Sequence, residues 1–151
     1  MIPFKEGNMD KTKRRGFSIL IAALFLICIA LLIAFFFPRG DTRQVAEDFS
    51  QADAYTEQEL DRMSRQVFSH FRQNFKNCTL DTLTYEKEDE AMFDSEAKRY
   101  DAYAAVILRS DFTVHEDADP SFVSGKNTDW KWIFIKKHEN SSWKLAGWGY
   151  L

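Results

Sequence analysis

The longest apolar run lies near the start of the chain. Phe17–Phe37 reads FSILIAALFLICIALLIAFFF, 21 residues without a charge. As a helix rising about 1.5 Å per residue it spans about 31 Å, against a hydrocarbon core of about 30 Å. Its five Ile, five Leu and five Phe each favour insertion by roughly 0.3–0.6 kcal/mol. The run has no polar face, and Pro38 disfavours helical geometry at Phe37, where the span ends. The pattern predicts a transmembrane helix over residues 17–37.

A second helical signal covers Thr56–Asn77. Thr56, Glu57, Gln58 and Glu59 have the form of a capping box, with Thr56 capping a backbone N–H and Glu59 reaching back. Leu60, Met63, Val67, Phe68, Phe71 and Phe75 then recur at helical spacing and form one apolar stripe. Such a stripe needs a sheet or another helix to bury it.

Beyond Asn77 the period changes from helical to alternating. Cys78–Glu86 is rich in Thr, Leu and Tyr and reads as strand, with imperfect alternation. Glu88–Tyr100 is charged and fits either a short helix or a loop. Tyr103–Val114 alternates clearly: Ala104, Val106, Leu108, Ser110, Phe112 and Val114 share one face, with Ala105, Ile107, Arg109, Asp111 and Thr113 on the other. His115–Lys126, with Pro120, Gly125 and several acids, reads as a loop. Thr128–Lys137 places Trp130, Trp132 and Phe134 on one face, and Ser142–Tyr150 closes the chain with Trp143, Leu145, Trp148 and Tyr150.

Strands linked this closely predict an antiparallel meander. A long amphipathic helix packed on a curved antiparallel sheet makes the outer domain α+β. The expected organisation is a basic tail over 1–16, the span over 17–37, a connector with a short helix over 38–55, and the α+β domain over 56–151. The connector helix begins near Thr42 and carries Val45, Phe49 and Ala52 on one face.

Charge fixes the expected orientation. Five basic and two acidic residues precede Gly16, whereas from Pro38 onward 21 acidic residues outnumber 15 basic ones. Lys11, Lys13, Arg14 and Arg15 crowd the N-terminal flank, so the positive-inside bias places the N-terminus in the cytoplasm and the domain outside the cell membrane. An acidic domain without a basic stripe also excludes nucleic acid as a partner. A cleaved signal peptide fits poorly, because the run is long and ends in Phe35, Phe36 and Phe37 rather than small residues. Cys28 lies within the span, leaving Cys78 as the one thiol of the outer domain and no disulfide inside it. Cys78 reads as a buried apolar residue, with intermolecular pairing as the alternative.

The segments FKNCTLDTLTYEKE, AVILRSDFTVHEDADPS, TDWKWIFIKKH and SWKLAGWGY occur in this order. Together they resemble a family of small extracytoplasmic domains, mostly from Gram-positive bacteria, catalogued as a domain of unknown function. The resemblance covers roughly residues 56–150 and implies a cone-shaped fold of the nuclear transport factor 2-like or cystatin-like kind. It carries no catalytic role with it. The loop after Phe112 is poorer in glycine than the family pattern.

Candidate chemistry is sparse. Phe71, Phe75, Tyr85, Trp130, Trp132 and Trp148 are the candidate lining of a ligand pocket between helix and sheet, suited to an apolar or cationic ligand. The plainer reading makes the same rings the core of a small domain without disulfides. His70, His115 and His138 lie in three different segments, and an acid–base dyad requires His70 to meet Asp111. The run His115–Asp119 lacks the glycine and terminal glutamate of a calcium loop, and reads as a solvated acidic loop. No metal or other cofactor is expected. Ser18/Ala22 and Ala30/Ala34 are small-residue pairs that leave homo-oligomerisation in the membrane open.

These features predict a membrane-anchored extracytoplasmic binding or scaffold domain, non-catalytic, that meets the bilayer through residues 17–37 and a protein partner in the membrane or envelope. A small-ligand sensor or carrier using the aromatic cavity is the alternative, and an enzyme of cyclase or dehydratase type the third.

Overall fold

The computed structural model describes residues 20–29 and 39–150, which fall in two compact units divided after Pro38. In the first unit residues 20–29 are helical (α1), and the large apolar side chains along it are exposed. No helix among the described residues is long and apolar enough to cross a membrane. The rest of the expected span, and the basic tail over 1–16, lie outside the described residues.

The second unit is α+β. Its elements are β1 (Ala46–Asp48), α2 (Glu57–Asn74), β2 (Cys78–Leu80), β3 (Thr82–Thr84), a turn of 3-10 helix (Lys87–Asp89), α3 (Glu90–Arg99), β4 (Ala104–Val114), β5 (Gly125–Lys136) and β6 (Lys144–Gly149). They build one sheet in the order β1-β3-β4-β5-β6, with β2 also pairing β4. Pairing is antiparallel throughout except for β1, which runs parallel to β3.

Helix α2 forms where the capping box and stripe place it. Thr56 accepts from the Glu59 backbone N–H at 3.2 Å, and Glu59 accepts from the Thr56 N–H at 3.1 Å. Met63, Val67 and Phe71 on its stripe are fully buried against Val106, Leu108, Phe112, Trp132 and Phe134 of the sheet. The alternation read along β4 holds: its even-numbered residues face α2, while Ala105 and Ile107 face the other way.

That other face is where the structure adds most to the sequence reading. Ile107, Ile133 and Ile135 pack with Ala97 of α3, and Met92, Phe93 and Tyr100 close around them. The charged segment before β4 is therefore a helix, and it covers the back of the sheet. Four apolar side chains among many charged ones suffice, because the sheet already presents three isoleucines to bury.

The connector helix expected from Thr42 does not form. Ala46–Asp48 is strand, and Asp41 bridges Thr79 ahead of it. Backbone bonds run from Asp41 N to Cys78 O, Leu80 N to Asp41 O, Ala46 N to Asp81 O and Tyr85 N to Asp48 O. A helix this short carries its nucleation cost with little to offset it, whereas the open edge of β2 and β3 offers partners to every second backbone group. Val45, Phe49 and Ala52 still reach the core from this extended path. The folded unit accordingly starts at Arg39 rather than Thr56.

Glu59 ties the two layers together. Its Oε1 accepts from Lys136 Nζ of β5 and from Trp143 Nε1, both at 3.1 Å. The Thr56 backbone N–H and then Lys136 hold its carboxyl down at about 2, outweighing the burial that opposes this. A carboxyl depressed in the folded state gives stability above its ordinary value, and that stability is lost as the carboxylate is protonated. Resistance to denaturant should therefore fall as pH drops from about 4.5 towards 2. Glu59→Gln should flatten that part of the profile and lower stability at neutral pH. An unchanged acid limb in the variant counts against this role for Glu59.

Candidate functional site

The six candidate pocket residues divide into a core group and a rim. Phe71, Phe75, Tyr85 and Trp132 are buried. Phe71 and Phe75 stack at 4.5 Å between centroids, and Trp132 stands 5.6 Å from Phe75. The Trp132 indole N–H donates to Ser110 Oγ at 2.9 Å, so the ring is both enclosed and satisfied. Tyr85 sits apart from this group, between Tyr55 and Phe93, and its hydroxyl donates to Glu90 Oε1 at 2.7 Å. Burial pushes the Tyr85 hydroxyl well above its ordinary range.

Trp130 and Trp148 instead border an opening. A cleft of about 430 Å³ lies at the C-terminal end of α2, walled by Asn74, Phe75, Phe122, Trp130, Trp148 and Tyr150. Phe122 stacks on Phe75 at 4.9 Å, and Tyr150 meets Trp130 edge-on at 5.0 Å. Sequence reasoning missed Phe122 and Tyr150. Phe122 stands in a polar loop with no period to reveal it, and the signal for Tyr150 was its place beyond a strand already rich in aromatics.

Two local features aim these rings. Asp129 adopts a left-handed conformation (φ 63°), and the register of β5 against β4 shifts by one there, between Ser110 and Phe112. The extra residue changes the phase of β5, so Asn127 lies opposite Phe112 on the same face as Trp130. Asn127 then fastens the surroundings: its amide donates to Val123 O at 2.7 Å and Gly125 O at 3.1 Å, and its oxygen accepts from Tyr150 at 3.2 Å.

Among the described residues two buried side-chain polar atoms lack a hydrogen-bond partner, Trp130 Nε1 and His70 Nε2. Both belong to this aromatic cluster. The His70 ring lies 3.8 Å from that of Trp148 and 5.9 Å from that of Trp132. Burial lowers its pKa, which favours the neutral imidazole. The two nitrogens are buried beneath the cleft, whose own walls are mainly apolar ring faces.

Two other depressions are crossed by ion pairs. The larger of the two, about 670 Å³, runs beside α2 past Glu59, Gln66, Lys136 and Trp143. There Lys136 pairs with Glu59 and lies 4.8 Å over the Trp143 ring, and Gln66 bonds to Trp143 O and Leu145 N along the edge of β6. On the back of the sheet Arg109 forks onto Asp89 at 2.6 and 2.8 Å and approaches Asp129 at 3.3 Å. These contacts hold elements together.

The structure does not assemble the His70–Asp111 dyad. His70 is packed among rings on the α2 side, while Asp111 pairs with Lys126 at 3.2 Å and accepts from the Asp129 backbone on the back of the sheet. His115 bonds to Thr79 Oγ1 at 2.8 Å, and Asp119 accepts from Ser121 N at 2.9 Å. Among the described residues no three His, Cys, Asp or Glu side chains converge on a point that would hold a metal. Cys78 is buried, and burial pushes its thiol up to about 11.

No family model, curated protein or solved structure matches this chain.

Proposed function

We propose that the chain is a single-pass, membrane-anchored binding or scaffold domain, non-catalytic, displayed on the extracytoplasmic face of the cell membrane. The observation that carries the reading is the filled interior. The space between α2 and the sheet, where a cone-shaped enzyme keeps its active site, is occupied by Phe71, Phe75, Phe112 and Trp132, all almost wholly buried. The three histidines occupy separate surroundings: His70 stacks near Trp148, His115 bonds to Thr79 Oγ1, and the His138 carbonyl accepts from Ser141 Oγ.

The apolar run over 17–37 and the basic residues before it support the anchor and its orientation. The α+β arrangement, with α2 across one face of the sheet, is compatible with the nuclear transport factor 2-like or cystatin-like cone implied by the family resemblance. The partner is then a protein of the membrane or envelope, with self-association through the small-residue pairs of the span as one form of it.

A second reading, a small-ligand sensor or carrier, is favoured by the aromatic cleft. An enzyme of cyclase or dehydratase type ranks third.

Topology tests the first reading directly. With Cys28 replaced by alanine, a membrane-impermeant thiol reagent on intact cells should label Asn140→Cys and leave Asn8→Cys unlabelled. Labelling of position 8 alone reverses the orientation. A mature N-terminus beyond Phe37 shows a cleaved leader and removes the anchor.

A further inference from the structure

The groove beside α2 holds two charges that the fold does not use. Its helix wall comes from the first half of α2, where Glu59 and Arg62 stand three residues apart on one face. Its opposite wall is the turn between β5 and β6, with Glu139, Asn140 and Ser142. Lys136 pairs with Glu59, and Arg65 pairs with Asp61. Among the described residues Arg62 and Glu139 have no ion-pair partner, and they do not pair with each other. The Asn140 amide and the Ser142 hydroxyl likewise make no hydrogen bond among the described residues. Unpaired charges are ordinary on an open surface. These stand on facing walls of one concavity of about 670 Å³, a size typical of small-ligand sites.

Both walls are held in place by contacts that leave those groups alone. Glu59 Oε1 takes the Lys136 ammonium and the Trp143 indole N–H. Gln66 donates to Trp143 O and accepts from Leu145 N, which ties the start of β6 to the helix. In the turn, Ser141 Oγ accepts from His138 N at 3.1 Å and donates to His138 O at 2.7 Å. Walls set in advance spare a ligand part of the ordering cost of binding.

The leftover charges define what fits between them. A guanidinium presents a planar fork of donors that matches a carboxylate, and the glutamate opposite matches an ammonium. A simple anion would face Glu139 and the acidic excess of the whole domain, and a simple cation would face Arg62. A molecule carrying both charges meets neither penalty. The Asn140 amide both donates and accepts, as does the Ser142 hydroxyl, and peptide groups ask for both.

We propose that this groove binds a short zwitterionic peptide, its carboxylate received by Arg62 and its ammonium by Glu139. The site lies wholly within the folded unit, so it stands whether or not the chain is anchored.

The test titrates trialanine, with both termini free, into the isotope-labelled full chain in dodecyl maltoside micelles. Resonances around Arg62 and Glu139 should shift and saturate within the tens of millimolar. Acetylating the amine of trialanine, or amidating its acid, should each weaken binding about two- to fivefold, the worth of one exposed ion pair. Arg62→Gln should abolish the preference for a free acid and keep that for a free amine, and Glu139→Gln should do the reverse. Both side chains are exposed, so the remaining resonances of each variant should stay in place and report an intact fold. Shifts that grow without saturating, or binding indifferent to the caps, overturn the proposal. So does a variant that keeps its matching preference or loses both, since neither end of the peptide is then assigned to that residue.

Discussion

Trp132→Ala should destabilise the folded unit by about 3–5 kcal/mol, the range for removing a large ring from a core that cannot fully collapse. Trp132 is fully buried and packs on Phe75 and His70, and its N–H is the partner of the buried Ser110 hydroxyl. Truncation therefore leaves a void and an unpaired hydroxyl together. Denaturant unfolding of a fragment beginning at Arg39 measures the loss. If Trp132 lined an open pocket, one side of its ring would already face space and the cost would be far smaller. A loss below about 1 kcal/mol, close to that of an ordinary surface change, would overturn the filled-core reading and raise ligand binding above scaffolding. Trp148→Ala on the rim is the natural comparison, since about half of that side chain is already exposed.

The second large effect belongs to Arg109. Its guanidinium meets Asp89 through two parallel bonds, and Asp89 is completely buried at the start of α3. Arg109→Met should cost about 3–5 kcal/mol, most of it the penalty of a buried carboxylate left without its partner. Arg109→Lys should recover only part of this, because an ammonium restores the charge but not the fork. Replacing both residues, Arg109→Met with Asp89→Leu, should recover most of the loss, since an apolar pair carries no desolvation penalty. A double-mutant cycle measures the coupling. If the double variant is no more stable than Arg109→Met, the cost lies in packing and not in the unpaired charge.

The two experiments bear on function through the same physical point. A domain whose interior is packed and whose buried charges are paired has spent its polar groups on holding shape. Its exposed large apolar side chains lie mainly at the rim, around Val123, Trp148 and Tyr150.

Much of this was legible in the residues taken alone. The capping box at Thr56 and the stripe from Leu60 to Phe75 specified α2, because a helix is decided by contacts three and four residues apart. The alternation along β4 named both of its faces correctly, down to the split between Val106 and Ile107. The core members of the aromatic set were recognisable as bulky side chains on those faces. The acidic excess and the apolar run before Pro38 are properties of composition, and they support the topology proposed here.

Other features depended on partners far away in the chain. The segment Ala46–Asp48 is exposed throughout, so no burial pattern announces a strand; it exists because Thr82–Thr84 offers a parallel edge 36 positions later. The charged segment 88–100 fitted a short helix or a loop equally, and the need to cover Ile107, Ile133 and Ile135 decided for helix α3. The one-residue shift at Asp129 changed the phase of β5 and brought Asn127 to the face of Trp130, which alternation counted from Trp130 does not foresee. The cleft itself joins a helix end, a loop and the last strand, and no single stretch of sequence contains it. Local periodicity reports which side of an element is apolar; what lies against that side, and whether it leaves a gap, is settled only when distant segments compete for the same surface.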